Sequence, residues 1–154
     1  MRLTSDAFRN GGSIPSVYTC DEDKDLNPPL DFSDIPAGAK SLVLILNDLD
    51  VPKDVLPSGV FDHWVLFNID PKTVGIPKGG SEGTAGQNGA GENRYVGPCP
   101  PPQYEPSEHR YIFTLYALDV KLPLEVGASK AEVLAAMEGH VLREARLTGR
   151  YKKR

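Results

Sequence analysis

The sequence predicts a mainly β, loop-rich protein with one well-signalled helix. Three observations carry this. Three apolar runs have the length and period of strands. The 15 glycines and 14 prolines fall between apolar runs rather than in tracts, which is how turns are punctuated. Only one segment carries clear helix-start signals. The 154 residues suit one core, so 1–154 is read as a single domain.

The first run, Leu42 to Leu46, is continuously apolar and bounded by Pro36-Ala37-Gly38 and Asp50-Val51-Pro52. It reads as a strand buried on both faces. The second, Phe61 to Ile69, alternates. Period two puts Phe61, His63, Val65, Phe67 and Ile69 on one face and Asp62, Trp64, Leu66 and Asn68 on the other. The third, Arg110 to Leu118, sets Tyr111, Phe113, Leu115 and Ala117 against Ile112, Tyr116 and Leu118. Apolar residues on both faces mark central strands. The helix opens at Ser129-Lys130-Ala131-Glu132, a capping-box pattern, continues through Val133, Leu134 and Met137, and stops at Gly139. Alternation returns over 144–152, a final strand. Residues 71–106 read as mostly loop, and a connection that long is usually functional.

Charge and hydropathy exclude several classes. A net charge of −4 lacks the basic face that nucleic acid requires. No run of about 18 apolar residues is present, so stable membrane insertion is not expected. The start Met1-Arg2-Leu3-Thr4 has no apolar signal core, so the cytoplasm is the expected compartment. In that compartment Cys20 and Cys99 are expected as reduced thiols, with mutual pairing as the other outcome. The basic end Arg150-Tyr151-Lys152-Lys153-Arg154 reads as a solvated terminus.

The segment Gly97-Pro98-Cys99-Pro100-Pro101 is locked by proline, which fixes φ and removes donors. It runs toward His109-Arg110-Tyr111 at the start of the third strand. Asp48 and Asp50 lie two apart at the end of the first, and His63 lies within the second. Taken singly, each has a bland reading: acids that begin a turn, a packed strand histidine, an edge histidine. Taken together, two acids, two imidazoles and a phenol at strand ends describe a polar pocket. Imidazole and phenol donors hold anionic oxygens, and a carboxylate fixes an imidazole tautomer. The glycine-rich stretch 86–91 lacks dinucleotide spacing. No nucleophile elbow is present, and the cysteines lack zinc spacing.

These residues make the chain similar to the phosphatidylethanolamine-binding protein family, in its bacterial and archaeal Raf-kinase-inhibitor-like branch. One signature stands here as Asp48-Leu49-Asp50-Val51-Pro52 followed by His63. The other runs Gly86-Gln87-Asn88, Gly91, Tyr95-Val96-Gly97-Pro98-Cys99-Pro100-Pro101, then His109-Arg110-Tyr111-Ile112-Phe113. The resemblance implies two antiparallel sheets in Greek-key arrangement with one or two peripheral helices. It also implies an anion pocket lined by Asp48, Asp50, Phe61, His63, Cys99, Pro100, Pro101, His109 and Tyr111, with Cys99 offering mainly its backbone N–H. The implied function is non-catalytic binding of small anions, phosphorylated groups or phospholipid head groups, possible modulation of a kinase or protease, no cofactor, and a homodimer. The competing readings are a hydrolase or lyase using Asp48 with His63 or His109 as an acid–base pair, and a metal site on the same residues. Three departures stand out: Leu49 between the acids, Gly89 where aspartate is common, and a long loop over 102–108.

Overall fold

A computed structural model describes residues 1–154. Eight strands and one α-helix follow in the order β1 (Arg2–Thr4), β2 (Leu30–Ser33), β3 (Ser41–Asp48), β4 (Phe61–Ile69), β5 (Gly75–Ile76), β6 (Thr84–Ala85), β7 (Glu108–Leu118), α1 (Lys130–Met137) and β8 (Val141–Lys152), with a 3-10 turn at Ser16–Tyr18. They form two antiparallel sheets, β1-β2-β5 and β6-β4-β3-β7-β8. In the larger sheet β3, β4 and β6 are successive neighbours, and β7 returns to lie beside β3. That path is a Greek key.

The three long runs become β3, β4 and β7 because they can be covered on both sides. Leu42, Leu44 and Leu46 face the small sheet, where Leu3, Leu30, Phe32 and Ile76 close the larger core. Val43 and Ile45 face α1, where Val133 and Met137 close a smaller one. A fully buried leucine or isoleucine contributes about 1.5–3 kcal/mol, so β3 is the strand on which both layers depend. The faces expected for β7 are the observed ones: Tyr111, Phe113, Leu115 and Ala117 enter the larger core, and Leu118 the smaller.

On β4 the alternation breaks twice. Leu44 pairs with Leu66 but Leu42 pairs with Ile69, a register shift at Asn68, whose φ is +51°. The Asn68 amide is held there by Leu122, donating to its carbonyl at 2.9 Å and accepting from its N–H at 2.8 Å. Ile69 therefore joins the larger core rather than sharing a face with Val65 and Phe67. A second shift, between Leu46 and Asn47, falls at Asp62 and His63.

The capping box is present, with the Ser129 hydroxyl accepting from Glu132 N–H and the Glu132 carboxylate accepting from Ser129 N–H. Gly139, at φ +81°, ends the helix. Leu134, expected on the apolar stripe, lies on the exposed side.

Two expectations are corrected. Cys20 and Cys99 are joined in a disulfide across 79 residues, with Cα atoms 5.4 Å apart. Gly97 makes this possible, because it lies so close to the Tyr18 carbonyl that a Cβ would come within 2.3 Å of that oxygen. The basic end is anchored rather than free. Asp21 accepts hydrogen bonds from Arg154 N–H, the Tyr151 hydroxyl and Lys153 Nζ. These bonds, the Arg154 N–H foremost, lower its carboxyl to about 2.

Candidate functional site

The leucine stripe of β3 ends in a carboxylate. Asp48 continues the face of Leu42, Leu44 and Leu46, and it is flanked by Phe61 of β4 and Tyr111 of β7. It is 4% exposed, and a buried charge must be hydrogen-bonded to be tolerated. Its Oδ2 accepts from His109 Nδ1 at 2.6 Å and its Oδ1 accepts from Asp50 N–H at 2.8 Å. The first bond fixes the His109 tautomer. The second is an aspartate turn of the kind that stops a strand.

His109 and Tyr111 lie two apart on β7, both fully buried, with rings stacked 6.3 Å apart. Neither His109 Nε2 nor the Tyr111 hydroxyl has a hydrogen-bond partner. The third such atom, Asp62 Oδ1, is approached by Lys130 Nζ at 2.8 Å. Buried polar atoms are nearly always satisfied within the protein or by what it holds. Two orphans on one wall are the strongest local signal in the molecule. Burial foremost, then the charge and closeness of the Asp48 carboxylate, which approaches the phenol without meeting hydrogen-bond geometry, push the Tyr111 phenol well above its usual range, so it is a donor at neutral pH.

The irregularity at Asp62–His63 brings β4 to the same place. Strict alternation would leave Phe61 and His63 on the helix side with Val65. The extra residue turns the strand end so that Phe61 and His63 share a cavity with Asp48 and Tyr111. Bulges re-aim side chains in this way next to functional sites. His63 sits edge-on to Phe61 at 4.8 Å and to Tyr111 at 5.3 Å between ring centroids. Its Nδ1 bonds the Val96 carbonyl at 2.7 Å, and because a carbonyl only accepts, that nitrogen carries the proton. Burial lowers the His63 pKa, with the Val96 carbonyl opposing the shift. Neutral His63 therefore presents Nε2 as an acceptor.

Gly97, Cys99, Pro100 and Pro101 form one wall of this cavity, and Val51, Val55 and Leu56 form its rim. The volume is about 380 Å³, within the range of about 300–1,000 Å³ typical of small-molecule sites. Of the residues expected to line it, Asp48, Phe61, His63, Cys99, Pro100, Pro101, His109 and Tyr111 meet there. Asp50 does not. β3 has already ended, so the period-two argument fails, and the Asp50 carboxylate turns to Arg110, taking Nε at 2.9 Å and Nη2 at 2.8 Å. Those bonds lower its pKa. The 102–108 loop contributes nothing to the wall. Gly89 backs the cavity from behind, since a Cβ there would lie 2.7 Å from the Phe61 ring. Val51 stands in the Asp48–Pro52 signature, but Val55 and Leu56 were not singled out from sequence; their place between Pro52 and Pro57 is the local hint.

Comparison with known proteins places these residues in a family. The family model described as phosphatidylethanolamine-binding protein matches residues 4–152. The chain is 46% identical over 154 residues to a UPF0098 protein of Chlamydia muridarum, covering 99% of both. It is 48% identical over 160 residues to a UPF0098 protein of Methanothermobacter thermautotrophicus, again covering 99% of both. This chain belongs to the phosphatidylethanolamine-binding protein family.

The fold agrees with that membership. A crystal structure of the phosphatidylethanolamine-binding protein homolog CT736 of Chlamydia trachomatis superposes with a TM-score of 0.92 at 44% identity, covering 99% of this chain and 97% of that one. Escherichia coli YbcL, described as a member of the mammalian phosphatidylethanolamine-binding protein family, shares the fold with a TM-score of 0.86 at 23% identity, covering 99% and 98%. Every residue framing the cavity falls within the matched span of the phosphatidylethanolamine-binding protein model. No three His, Cys, Asp or Glu side chains are grouped to hold an ion. No helix is long and apolar enough to cross a membrane.

Proposed function

We propose that this phosphatidylethanolamine-binding protein family member holds a small phosphorylated or otherwise anionic group in the Asp48–His63–His109–Tyr111 cavity, without turning it over. The carrying observation is the pair of buried, unpartnered polar atoms, His109 Nε2 and the Tyr111 hydroxyl, on one cavity wall. The phenol donates as it stands. Each imidazole donates from Nε2 once it takes up a proton, and neutral His63 accepts a P–OH proton instead. A hydrogen bond to a charged group contributes about 1.5–3 kcal/mol, so a few such bonds hold a small anion without further contacts. The Val51, Val55 and Leu56 rim accommodates an apolar substituent on that anion.

The test is calorimetric titration with phosphate, phosphoethanolamine and sulfate at pH 5.5 and 7.5. Binding should tighten at the lower pH for all three. At neutral pH phosphate should outbind sulfate, which brings no proton for His63. Anion affinity indifferent to both pH and Tyr111→Phe would sink the reading. Release of product from a phosphoester in the same cell would turn the Asp48–His109 pair into an acid–base couple instead.

A further inference from the structure

We propose that the Cys20–Cys99 disulfide is a redox latch on the cavity wall, so that a dithiol reductant loosens the ligand site while its polar floor stays in place. The latch is independent of what the cavity holds; only its effect on affinity rests on the anion-binding reading. Cys99 both lines the cavity and is exposed to solvent, while Cys20 is half-buried. The wall has few other ties. Pro98, Pro100 and Pro101 have no N–H to give. Up to Pro98 the chain is held, with Val96 N–H on the His63 carbonyl, Gly97 N–H on the Lys24 carbonyl and Cys20 N–H on the Pro98 carbonyl. From Cys99 through Ser107 no hydrogen bond reaches the body of the protein; the one bond made is local, Tyr104 N–H to Pro101 at 3.3 Å. The covalent bridge holds what hydrogen bonds do not.

The floor is held differently. Asp48, His63, His109 and Tyr111 sit in strand ladders and share no bond with the bridge. Reduction therefore acts on the Cys20 segment and on 97–101, and leaves the floor in place. The Cys99 N–H, unpartnered and beside the cavity, is a donor whose placement depends on the bridge.

The chemistry balances with a dithiol. One thiolate of the reductant attacks Cys99 Sγ, the accessible sulfur; the Cys20–Cys99 bond breaks, and Cys20 leaves as a thiolate that takes up a proton. The second reductant thiol then displaces Cys99 from the mixed disulfide. Two electrons reach the protein, both cysteines end as thiols, and the reductant ends as its own disulfide.

Hydrogen exchange of the full chain, oxidised and after dithiothreitol, tests this alongside phosphate titration of both forms. The Gly97 and Cys20 amides, the hydrogen-bonded donors on either side of the bridge, should exchange about tenfold faster after reduction while β3 and β7 keep their protection. Phosphate affinity should fall about fivefold as preorganisation is lost. Reoxidation should restore both. Cys20→Ser should behave as the reduced protein and ignore the reagent. Equal exchange in the two forms overturns the latch, as does global unfolding on reduction, which would make the bridge a staple. If oxidised protein ignores phosphate while the Gly97 and Cys20 amides still answer to reduction, the latch stands and the anion reading falls.

Discussion

His109 Nδ1 donates to Asp48 Oδ2 at 2.6 Å, with the imidazole fully buried and the carboxylate nearly so. The bond joins two strands and aims the other ring nitrogen at the cavity. It makes Asp48 the residue on which both stability and the shape of the cavity floor turn.

Asp48→Asn should therefore be costly. The carboxylate accepts from His109 Nδ1 through one oxygen and from Asp50 N–H through the other, and an asparagine amide keeps only one acceptor, so one charged hydrogen bond worth about 1.5–3 kcal/mol is lost. The midpoint of urea unfolding should fall accordingly, and anion affinity should fall with it in whatever protein remains folded.

Tyr111→Phe should separate stability from binding. The hydroxyl is buried without a partner, and an unsatisfied buried group costs about 1–3 kcal/mol. Its removal should raise ligand-free stability by an amount on that order. The same change removes a donor to the anion and should weaken phosphate about tenfold or more. Thermal unfolding with and without phosphate reads both effects, which have opposite signs.

His63 gives a pH signature. Burial lowers its folded pKa below the ordinary 6.5. In the window below 6.5 the unfolded chain binds a proton that the folded chain does not. Stability from this residue is thus complete above 6.5 and lost as pH falls through the folded value. His63→Gln should flatten the slope of stability against pH below 6.5, measured by denaturant titration without anions. An unchanged slope would mean the imidazole is not desolvated.

Gly97→Ala probes how the wall is seated. A Cβ would meet the Tyr18 carbonyl at 2.3 Å and Thr19 Cα at 3.1 Å, both main-chain atoms. Overpacking of this kind costs about 1–3 kcal/mol. Because the same contact sets Cys20 beside Cys99, the variant should also show more free thiol after air oxidation than the parent.

The long strands were legible because their residues admit one reading. Five consecutive apolar residues from Leu42 need cover on both sides, and the alternation from Tyr111 to Ala117 matches its buried faces. The helix was legible from Ser129 and Glu132. The small sheet was not, since β1, β2 and β5 run three, four and two residues, too short for a period to show. The Asp62–His63 and Asn68 irregularities were invisible for the opposite reason: period two assumes an unbroken ladder. Most of the expected cavity residues nevertheless meet there, because strand ends converge whichever way each side chain turns. Asp50 is the exception, and the turn that Asp48 itself makes is the cause. The Cys20–Cys99 bridge depends on Gly97 lying against Tyr18, a contact between segments far apart in the chain.

The polar floor of the cavity belongs to strands β3, β4 and β7, whereas its rim comes from the 51–56 and 97–101 connections. Substitutions in these connections should therefore reshape the fit of the proposed guest's apolar part, while the strand ladders keep the imidazoles and the phenol beneath in place.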